Sequence, residues 1–268
     1  MKISSRTLLA AALMLALPLG TATACTVSNW TGSGTATIAN AKGPADGVAR
    51  YSGVCALTVD SGKYVIDNSP SNDGVYRSRF YVLTRPVTGT VTIFKATASD
   101  NGVGATVVEI TYNGTAFAFS ENGTSVGSVT GIQANKWYSI ESLYKAGSGF
   151  SASVWGAGGS TEVGSVTAAS AGAGTVSSAV LGISSGTATT AFNFDSFEST
   201  RSESTPIGRL CRGDANGDGV LNIFDRIALQ NETNKGVYVA GQPDCNEDGV
   251  VNVFDRICLQ NRTLNADT

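Results

Sequence analysis

Short runs of alternating apolar and polar residues recur between residues 25 and 200. In the run 105–112 the apolar side falls on Val108, Ile110 and Tyr112, and this period of two is typical of a strand with one buried face. No segment of the region has a long 3.6-residue period. The pattern therefore predicts two packed antiparallel sheets or a barrel. Further runs of this kind span 77–83, 90–95, 115–119, 136–144, 178–183 and 191–197.

Turn signals and changes of composition divide the chain. Asn113-Gly114 and Asn122-Gly123 favour tight hairpins, because both residue types tolerate positive φ. The Gly- and Ala-rich stretch 156–174 predicts long hairpin loops, since strand-like runs resume after it. Residues 201–210 are polar and contain Pro206, which predicts a linker. The predicted organisation is a β-sandwich domain at 25–200, a linker at 201–210 and a small helical module at 211–268.

The end of the chain contains nearly the same nineteen residues twice. Residues 213–231 and 243–261 are identical at thirteen of nineteen positions. Acidic and amide residues recur at positions 1, 3, 5, 9 and 12 with Gly at position 6, which is the spacing of an EF-hand calcium loop. Such a cage of carboxylates and amides suits Ca²⁺ better than Mg²⁺, which demands a tighter octahedron. The predicted ligands of two Ca²⁺ ions, with the position-7 residues binding through their carbonyls, are Asp214, Asn216, Asp218, Val220, Asn222, Asp225, Asp244, Asn246, Asp248, Val250, Asn252 and Asp255.

Two features depart from an ordinary EF-hand. Position 12 is Asp225 or Asp255 in place of Glu, so the following helix must approach the ion more closely. The segment between Pro206 and the first loop is too short for an entering helix, whereas the apolar spacing after each loop predicts a short helix ending near Asn231 or Asn261. The repeat unit is therefore a loop followed by a helix.

Two such units, each D-x-N-x-D-G-x-x-N-x-x-D followed by a helix, resemble a type I dockerin module. The resemblance covers about residues 211–268 and implies packed antiparallel helices around two Ca²⁺ ions. It also implies a protein partner, a cohesin domain on a scaffold or cell-surface protein, and a role in assembling polysaccharide-degrading enzymes. Phe224 and Phe254 have a second interpretation, as the core of the small module. The positions that contact cohesin in that family are bulky and apolar here: Ile223, Phe224, Val253 and Phe254.

The N-terminus has the pattern of a secretory signal peptide at 1–24. Lys2 and Arg6 flank the start of an apolar run, and Ala22-Thr23-Ala24 fits a cleavage site. We therefore expect an extracellular protein without a membrane span; attachment to the cell surface, through a lipid on Cys25, is the alternative. Without these residues, 16 basic side chains (18 minus 2) face 21 acidic ones, and a net charge near −5 argues against nucleic acid as a partner.

Five cysteines in an exported chain indicate disulfides, with one cysteine left over. A Cys25–Cys55 pair would tie the N-terminal strand to the next one. Positions 2 and 15 of the repeat are alanines in the first copy and cysteines in the second. Because both positions change together, we predict a Cys245–Cys258 disulfide, which leaves Cys211 unpaired.

The chain has no histidine, which excludes Ser-His-Asp and Cys-His nucleophiles and His-ligated metals. Glycosidases need two carboxylates in one cleft, but the spacing of Asp195 and Glu198 predicts opposite strand faces. We assign no catalytic residue. Solvent-facing or turn positions are expected for the acids of the β region: Glu109, Glu121, Glu141, Glu162, Asp195 and Glu198.

The strand sequences 80–82 and 192–197 loosely resemble concanavalin-A-like (laminin-G-like) jelly rolls, a family that implies carbohydrate or protein binding and includes some enzymes. Trp30, Trp137 and Trp155 could form a sugar platform, but a core position is favoured. We therefore expect a secreted protein whose dockerin-like module docks a non-catalytic jelly-roll domain, with carbohydrate or protein as the ligand of that domain. The alternatives are a glycoside hydrolase or polysaccharide lyase with a jelly-roll catalytic domain, and a surface adhesion protein.

Overall fold

The computed structural model describes residues 25–33, 37–40, 49–156, 161–169 and 172–265. The expected signal peptide lies outside the described residues. The strands are β1 (Gly32–Ser33), β2 (Thr37–Asn40), β3 (Cys55–Val59), β4 (Tyr64–Asp67), β5 (Val75–Leu83), β6 (Val87–Thr97), β7 (Thr106–Tyr112), β8 (Ala116–Glu121), β9 (Thr124–Thr130), β10 (Trp137–Lys145), β11 (Gly149–Gly156), β12 (Glu162–Ala168), β13 (Ser178–Ala188) and β14 (Phe192–Thr200). The α-helices are α1 (Ile223–Lys235) and α2 (Val253–Asn265).

Two seven-stranded sheets form a sandwich. The first has the strand order β1-β4-β13-β6-β7-β8-β9, and the second has the order β12-β11-β10-β5-β14-β3-β2. Every pairing between these strands is antiparallel. The chain is therefore mainly β, with two antiparallel layers, as the alternating pattern predicts.

Aromatic side chains from both sheets fill the space between them. Phe80 on β5 packs on Phe94 of β6, with ring centroids 5.4 Å apart, and Phe119 on β8 meets Phe150 of β11 at 6.1 Å. Each of these rings is at least 98% buried, and full burial of a Phe side chain contributes about 1.5–3 kcal/mol relative to exposure. These contacts hold the two layers together.

Two elements differ from the sequence prediction. The stretch 156–174, predicted as long hairpin loops, contains the strand β12, which pairs with β11 at the edge of the second sheet. Both helices continue about one turn past Asn231 and Asn261, where they were predicted to end. Helix α1 stops at Gly236, whose left-handed conformation lets its N–H donate to the carbonyl of Glu232.

Strand β5 is buried on both faces, although its alternation predicts one exposed face. The segment 201–210, predicted as a linker, lies along its outer side. The Arg77 guanidinium donates to the Glu203 carbonyl at 2.7 Å, and the Glu141 carboxylate accepts from the N–H of Gly208 at 2.8 Å. These contacts fix the start of the C-terminal segment on the second sheet.

Tyr51 joins the sandwich to the C-terminal segment. Its ring stacks on Tyr81 with centroids 3.6 Å apart and meets Trp137 edge-on at 5.5 Å. The Asp195 carboxylate holds the Tyr51 backbone, since Oδ2 accepts from the Tyr51 N–H at 2.7 Å. Desolvation in this position raises the pKa of Asp195 to about 6, although three backbone N–H groups donate to the carboxylate. The hydroxyl of Tyr81 accepts from the Leu210 N–H at 2.7 Å, so the aromatic cluster continues into the C-terminal segment.

Helices α1 and α2 enclose a small core of their own. Leu229 and Leu259 are fully buried with Ala215, Val239 and Cys245. Phe224 and Phe254 do not belong to it, since they are 63% and 62% exposed. The interpretation of these two phenylalanines as core residues is therefore wrong.

The structure contains two disulfides, Cys25–Cys55 and Cys245–Cys258, each with Cα atoms 5.9 Å apart. Cys211 is exposed and free. Disulfides of this kind are typical of extracellular proteins. Among the helices in the described part of the chain, none combines the length and apolar character needed to cross a bilayer.

An ion pair between Arg50 and Glu232 connects the sandwich to α1. The guanidinium lies 2.7 Å from Oε1, and the two side chains are 3% and 2% exposed. We expect Glu232→Gln to lower the free energy of unfolding by about 3–5 kcal/mol, because it leaves a buried guanidinium without its counter-charge. Denaturant unfolding measures this loss. The matched control, Glu203→Gln, removes a pair with Lys145 whose Glu203 side chain is 59% exposed, and it should cost about 1 kcal/mol or less. Equal losses for the two variants would contradict the assignment.

Candidate metal centres

The first acidic loop is folded around its own carboxylates. Asp214 Oδ1 accepts from the N–H groups of Gly217 and Asp218 at 2.8 and 3.1 Å, and its Oδ2 accepts from Gly219 at 2.9 Å. Asp225 reaches back from the helix and accepts from the N–H groups of Asn216 and Asn222 at 3.2 and 2.8 Å. Side-chain oxygens of Asp214, Asp218 and Asp225 all lie within 4.8 Å of one another.

The second loop repeats these backbone hydrogen bonds, whereas the grouping of three carboxylates within 4.8 Å is found, among the described residues, in the first loop. Asp244 Oδ2 accepts from Gly249 N–H at 2.7 Å, and Asp255 accepts from the N–H groups of Asn246 and Asn252 at 3.1 and 2.8 Å. The corresponding distances in the two loops differ by at most 0.2 Å. Two equivalent oxygen-rich loops are therefore present, one before each helix.

Glycine and asparagine give the loops their shape. Gly219 and Gly249, at position 6, have φ of +83° and +85°, a conformation that other residues rarely adopt. Asn222 caps α1, since its Oδ1 accepts from the Phe224 N–H at 2.7 Å, and Asn252 does the same for α2. Position 9 in such loops often reaches a cation through a water molecule. The same residues thus turn the chain and start the helix.

The carboxylates are buried at a cost. Desolvation raises the pKa of Asp225 and Asp244, and the neighbouring Asp255 and Asp248 raise that of Asp244 further. Burial also raises the pKa of Asp255, to about 6, against the opposing effect of two backbone N–H donors. A divalent cation would offset this cost, because it would supply the positive charge that the buried carboxylates otherwise lack. The donor set of carboxylates, amides and carbonyls fits a hard cation such as Ca²⁺.

The predicted partner-binding residues form an exposed apolar surface. Ile223, Phe224, Val253 and Phe254 are 52–63% exposed. A cavity of about 240 Å³ lies between the helices. Its walls consist of four equivalent pairs of side chains from the two helices: Ile223 and Val253, Arg226 and Arg256, Ile227 and Ile257, and Gln230 and Gln260. We name this apolar surface and its cavity the helix face. Exposed apolar area of this extent is typical of an interaction site.

The acids of the β region are dispersed over separate environments. Glu141 accepts from Arg77 at 2.7 Å, Glu109 accepts from the Thr92 hydroxyl at 2.9 Å, and Glu198 pairs with Arg79 at 2.8 Å. Glu121 is fully buried, so the expectation of a solvent-facing or turn position was wrong for it. Asp195 is half-buried and holds the Tyr51 backbone. The structure brings no two of these six acids together in one ion-pair or hydrogen-bond set.

The three tryptophans have different environments. Trp137 is fully buried in the cluster around Tyr51, and Trp30 packs on Phe197 with ring centroids 5.2 Å apart. Trp155 is half-buried beneath the Arg209 guanidinium, which lies 5.2 Å from the ring centroid. Trp155 also borders a cavity of about 430 Å³ on the outer face of the second sheet. The cavity's other polar lining residues are Arg77, Ser139, Glu141, Ser151, Ser153 and Arg209.

The contact of Glu247 with the sandwich was not predicted from the sequence. Glu247, at position 4 of the second loop, is 1% exposed and accepts from the hydroxyl of Tyr51 at 2.7 Å. The equivalent residue of the first loop is Gly217. This difference between the copies was the available signal, because a charged residue appears where the other copy has glycine.

No protein-family model matches the chain, and no curated protein matches it in sequence. Similar solved structures include the receptor-binding domain of botulinum neurotoxin type G, 14% identical over 61% of this chain and 42% of that chain, with a TM-score of 0.40. A family 7 alginate lyase in complex with substrate is 15% identical over 56% and 79%, with a TM-score of 0.40. A mutant of Trypanosoma rangeli sialidase with trans-sialidase activity is 14% identical over 59% and 27%, with a TM-score of 0.38. The chain spans less than half the length of the first and third. At these identities and TM-scores, the similarities indicate neither a ligand nor an activity.

Because burial raises the pKa values of the loop carboxylates, we predict that the stability of the fold changes with pH in opposite directions with and without a bound cation. In chelator, the pKa of Asp255 is about 6 in the folded chain against 3.8 unfolded, so its contribution to stability is present below pH 4 and lost as pH rises through 6. With Ca²⁺ the carboxylates must be ionised to bind, so the stability gained from the ion increases over the same range. Thermal unfolding from pH 4 to 7 in Ca²⁺ and in chelator measures both slopes. Asp255→Asn should reduce the difference between them, and the exposed Asp60→Asn should not. Parallel slopes in wild type would contradict the prediction.

Proposed function

We propose that residues 211–268 form a calcium-dependent, dockerin-like module that attaches the β-sandwich to a cohesin-type protein partner. The observation that carries the proposal is the helix face, whose first residues occupy positions 10 and 11 of the two acidic loops. Phe224 and Phe254 immediately precede Asp225 and Asp255, whose carboxylates fix the same helix ends to the loops. A cation bound in the loops therefore holds the apolar side chains in place.

The chemistry of the loops supports calcium as the cation. The carboxylates of Asp214, Asp218 and Asp225 converge within 4.8 Å, and like charges this close repel unless a cation lies among them. Amide oxygens and the position-7 carbonyls complete an oxygen set that Ca²⁺ accepts with its flexible geometry. The two ions would supply charge neutralisation and cross-linking of loop to helix.

The composition of the helix face supports a protein partner. Each copy of the repeat has, at positions 10 and 11, two large apolar side chains that are more than half exposed. Arg226 and Arg256 line the cavity between the two helices. Apolar anchors with arginine at the margin are typical of protein interfaces. A cohesin-type domain with an apolar surface and acidic margin complements this arrangement.

For the sandwich we propose a non-catalytic ligand-binding role, with a saccharide in the cavity beside Trp155. An aromatic ring next to serine hydroxyls and charged side chains offers both stacking and hydrogen bonds to a sugar. The alternative functions are a polysaccharide-degrading enzyme and a surface protein whose sandwich binds protein.

The partner proposal predicts calcium-dependent binding to cohesin domains. The full chain is titrated against a panel of recombinant type I cohesins in Ca²⁺ and in chelator. We expect binding in Ca²⁺ only, and a loss of at least about 30-fold on combining Phe224→Ser with Phe254→Ser, since truncated anchors cost about 2 kcal/mol or more. Val103→Ser, an equally exposed apolar residue of the sandwich, should leave affinity unchanged. Binding unaffected by chelator, or by the double substitution, would contradict the proposal.

The sandwich proposal predicts binding of a polysaccharide without turnover. A glycan array identifies the saccharide, and Trp155→Ala should weaken its binding at least about tenfold through lost stacking. Trp30→Ala, away from this cavity, serves as the matched control. Turnover of the same saccharide that disappears in Glu109→Gln, Glu121→Gln or Glu141→Gln would instead favour the enzyme.

A further inference from the structure

The two acidic loops repeat a sequence but do not share an environment. In the first loop, Gly217, Asp218 and Gly219 are exposed, whereas the corresponding residues of the second loop are buried or half-buried. Asp214 retains 8% exposure, and the equivalent Asp244 is fully buried. The sandwich accounts for the difference, because it covers the second loop.

Glu247 carries the main contacts between the second loop and the sandwich. Its carboxylate accepts from the Tyr51 hydroxyl at 2.7 Å and from Arg209 Nη2 at 3.3 Å. Its carbonyl accepts from the N–H of Trp137, the first residue of β10, at 2.9 Å. Two residues later, Gly249 lies so close to Leu83 that a Cβ there would be 3.0 Å from a Leu83 methyl. Positions 4 and 6 of the loop are thus both fixed by strands of the second sheet.

The backbone of Glu247 shows that these contacts determine the loop's shape. Its φ is +57°, a left-handed conformation that is unfavourable for a residue with a side chain. Gly217 has φ of +77° at the same position, where glycine adopts it without strain. Glutamate retains the conformation because the sandwich holds both its carboxylate and its carbonyl.

We propose that the β-sandwich, acting through Glu247, preorganises the second loop for its cation, so that the two cation sites are unequal. The second site binds more tightly and releases its ion slowly, and the first is the exchangeable site. This inference rests on the proposed calcium binding. Binding to a loop that is already ordered loses less conformational entropy than binding to a free one. The Cys245–Cys258 disulfide further restricts the second loop, and the first loop has alanines at both positions.

Tyr51 and Trp137 are therefore positioning residues for the second site. Tyr51 contacts Glu247 through its hydroxyl and Trp137 contacts it through its backbone N–H, and Glu247 is not among the predicted ligands. The contact of the Tyr51 hydroxyl with Glu247 also provides a specific signal, because it places the Tyr51 ring beside the second loop. A lanthanide in that loop would be excited through Tyr51 more strongly than one in the exposed first loop.

The experiment uses the full chain, with Ca²⁺ in calorimetry and Tb³⁺ in luminescence and rapid mixing with chelator. We expect two dissociation constants that differ at least about tenfold, and two release phases, of which the slow one carries most of the sensitised luminescence. Asp248→Asn should abolish the slow phase, and Asp218→Asn the fast phase. Tyr51→Phe, which removes only the hydroxyl, should weaken the tight site by about tenfold, the size expected for a hydrogen bond to a charged group. It should also accelerate the slow phase.

Two further variants distinguish positioning from general destabilisation. Glu247→Gly gives the second loop the residue of the first, and it should bring the two affinities together while the fast phase stays unchanged. Tyr64→Phe on β4, in the other sheet, should alter neither phase. If no cation binds to either loop, the proposed function fails. If two ions bind with equal affinity, or if Tyr51→Phe leaves the slow phase intact, calcium binding stands and the inference is wrong.

Discussion

Two carboxylates are buried where the C-terminal segment meets the sandwich, and their pairing determines how the rest of the chain is arranged. Glu232 is matched by Arg50 at 2.7 Å, and Glu247 is matched by the Tyr51 hydroxyl and Arg209. A carboxylate that stays buried without such partners would cost several kcal/mol, so this contact depends on both pairings. The segment around Tyr51 therefore connects both carboxylates to the sheet, and Asp195 in turn holds that segment.

This pairing makes the sandwich and the two helices one structural unit. The outer face of β5, which would be solvated in an isolated sandwich, is buried by residues 201–210 and by Tyr51, whose ring stacks on Tyr81 of that strand. A flexible linker would let a docked domain sample many orientations. Here the apolar side chains of the helix face have one orientation relative to the sandwich cavity at Trp155. A partner bound to the helix face would therefore also fix the orientation of the cavity at Trp155.

The pattern of apolar residues predicts an element well where burial in the core alone determines that pattern. It predicts an element or a role poorly where contacts with distant parts of the chain are decisive. Alternation locates β5 and β7 because core burial dominates there. It does not locate β9 or β12, since both are edge strands with mostly exposed side chains and little apolar alternation. The turn and the hydrogen bonds of each acidic loop follow from spacing alone, because such a loop is local in sequence. The role of Glu247 does not, because its partner Tyr51 lies 196 positions away.

Two charged positions at which the two repeats differ are positions that contact the sandwich. Gly217 and Glu247 occupy equivalent positions, and so do Glu232 and Arg262. In each pair the glutamate is the residue that meets the sandwich, one from each copy. Two equivalent units cannot both face the same asymmetric surface in the same way, so each keeps the shared acidic and amide loop residues and differs where it meets the sheet. Positions that differ in charge between internal repeats are therefore informative about intramolecular packing, whereas identical positions report the function common to both copies.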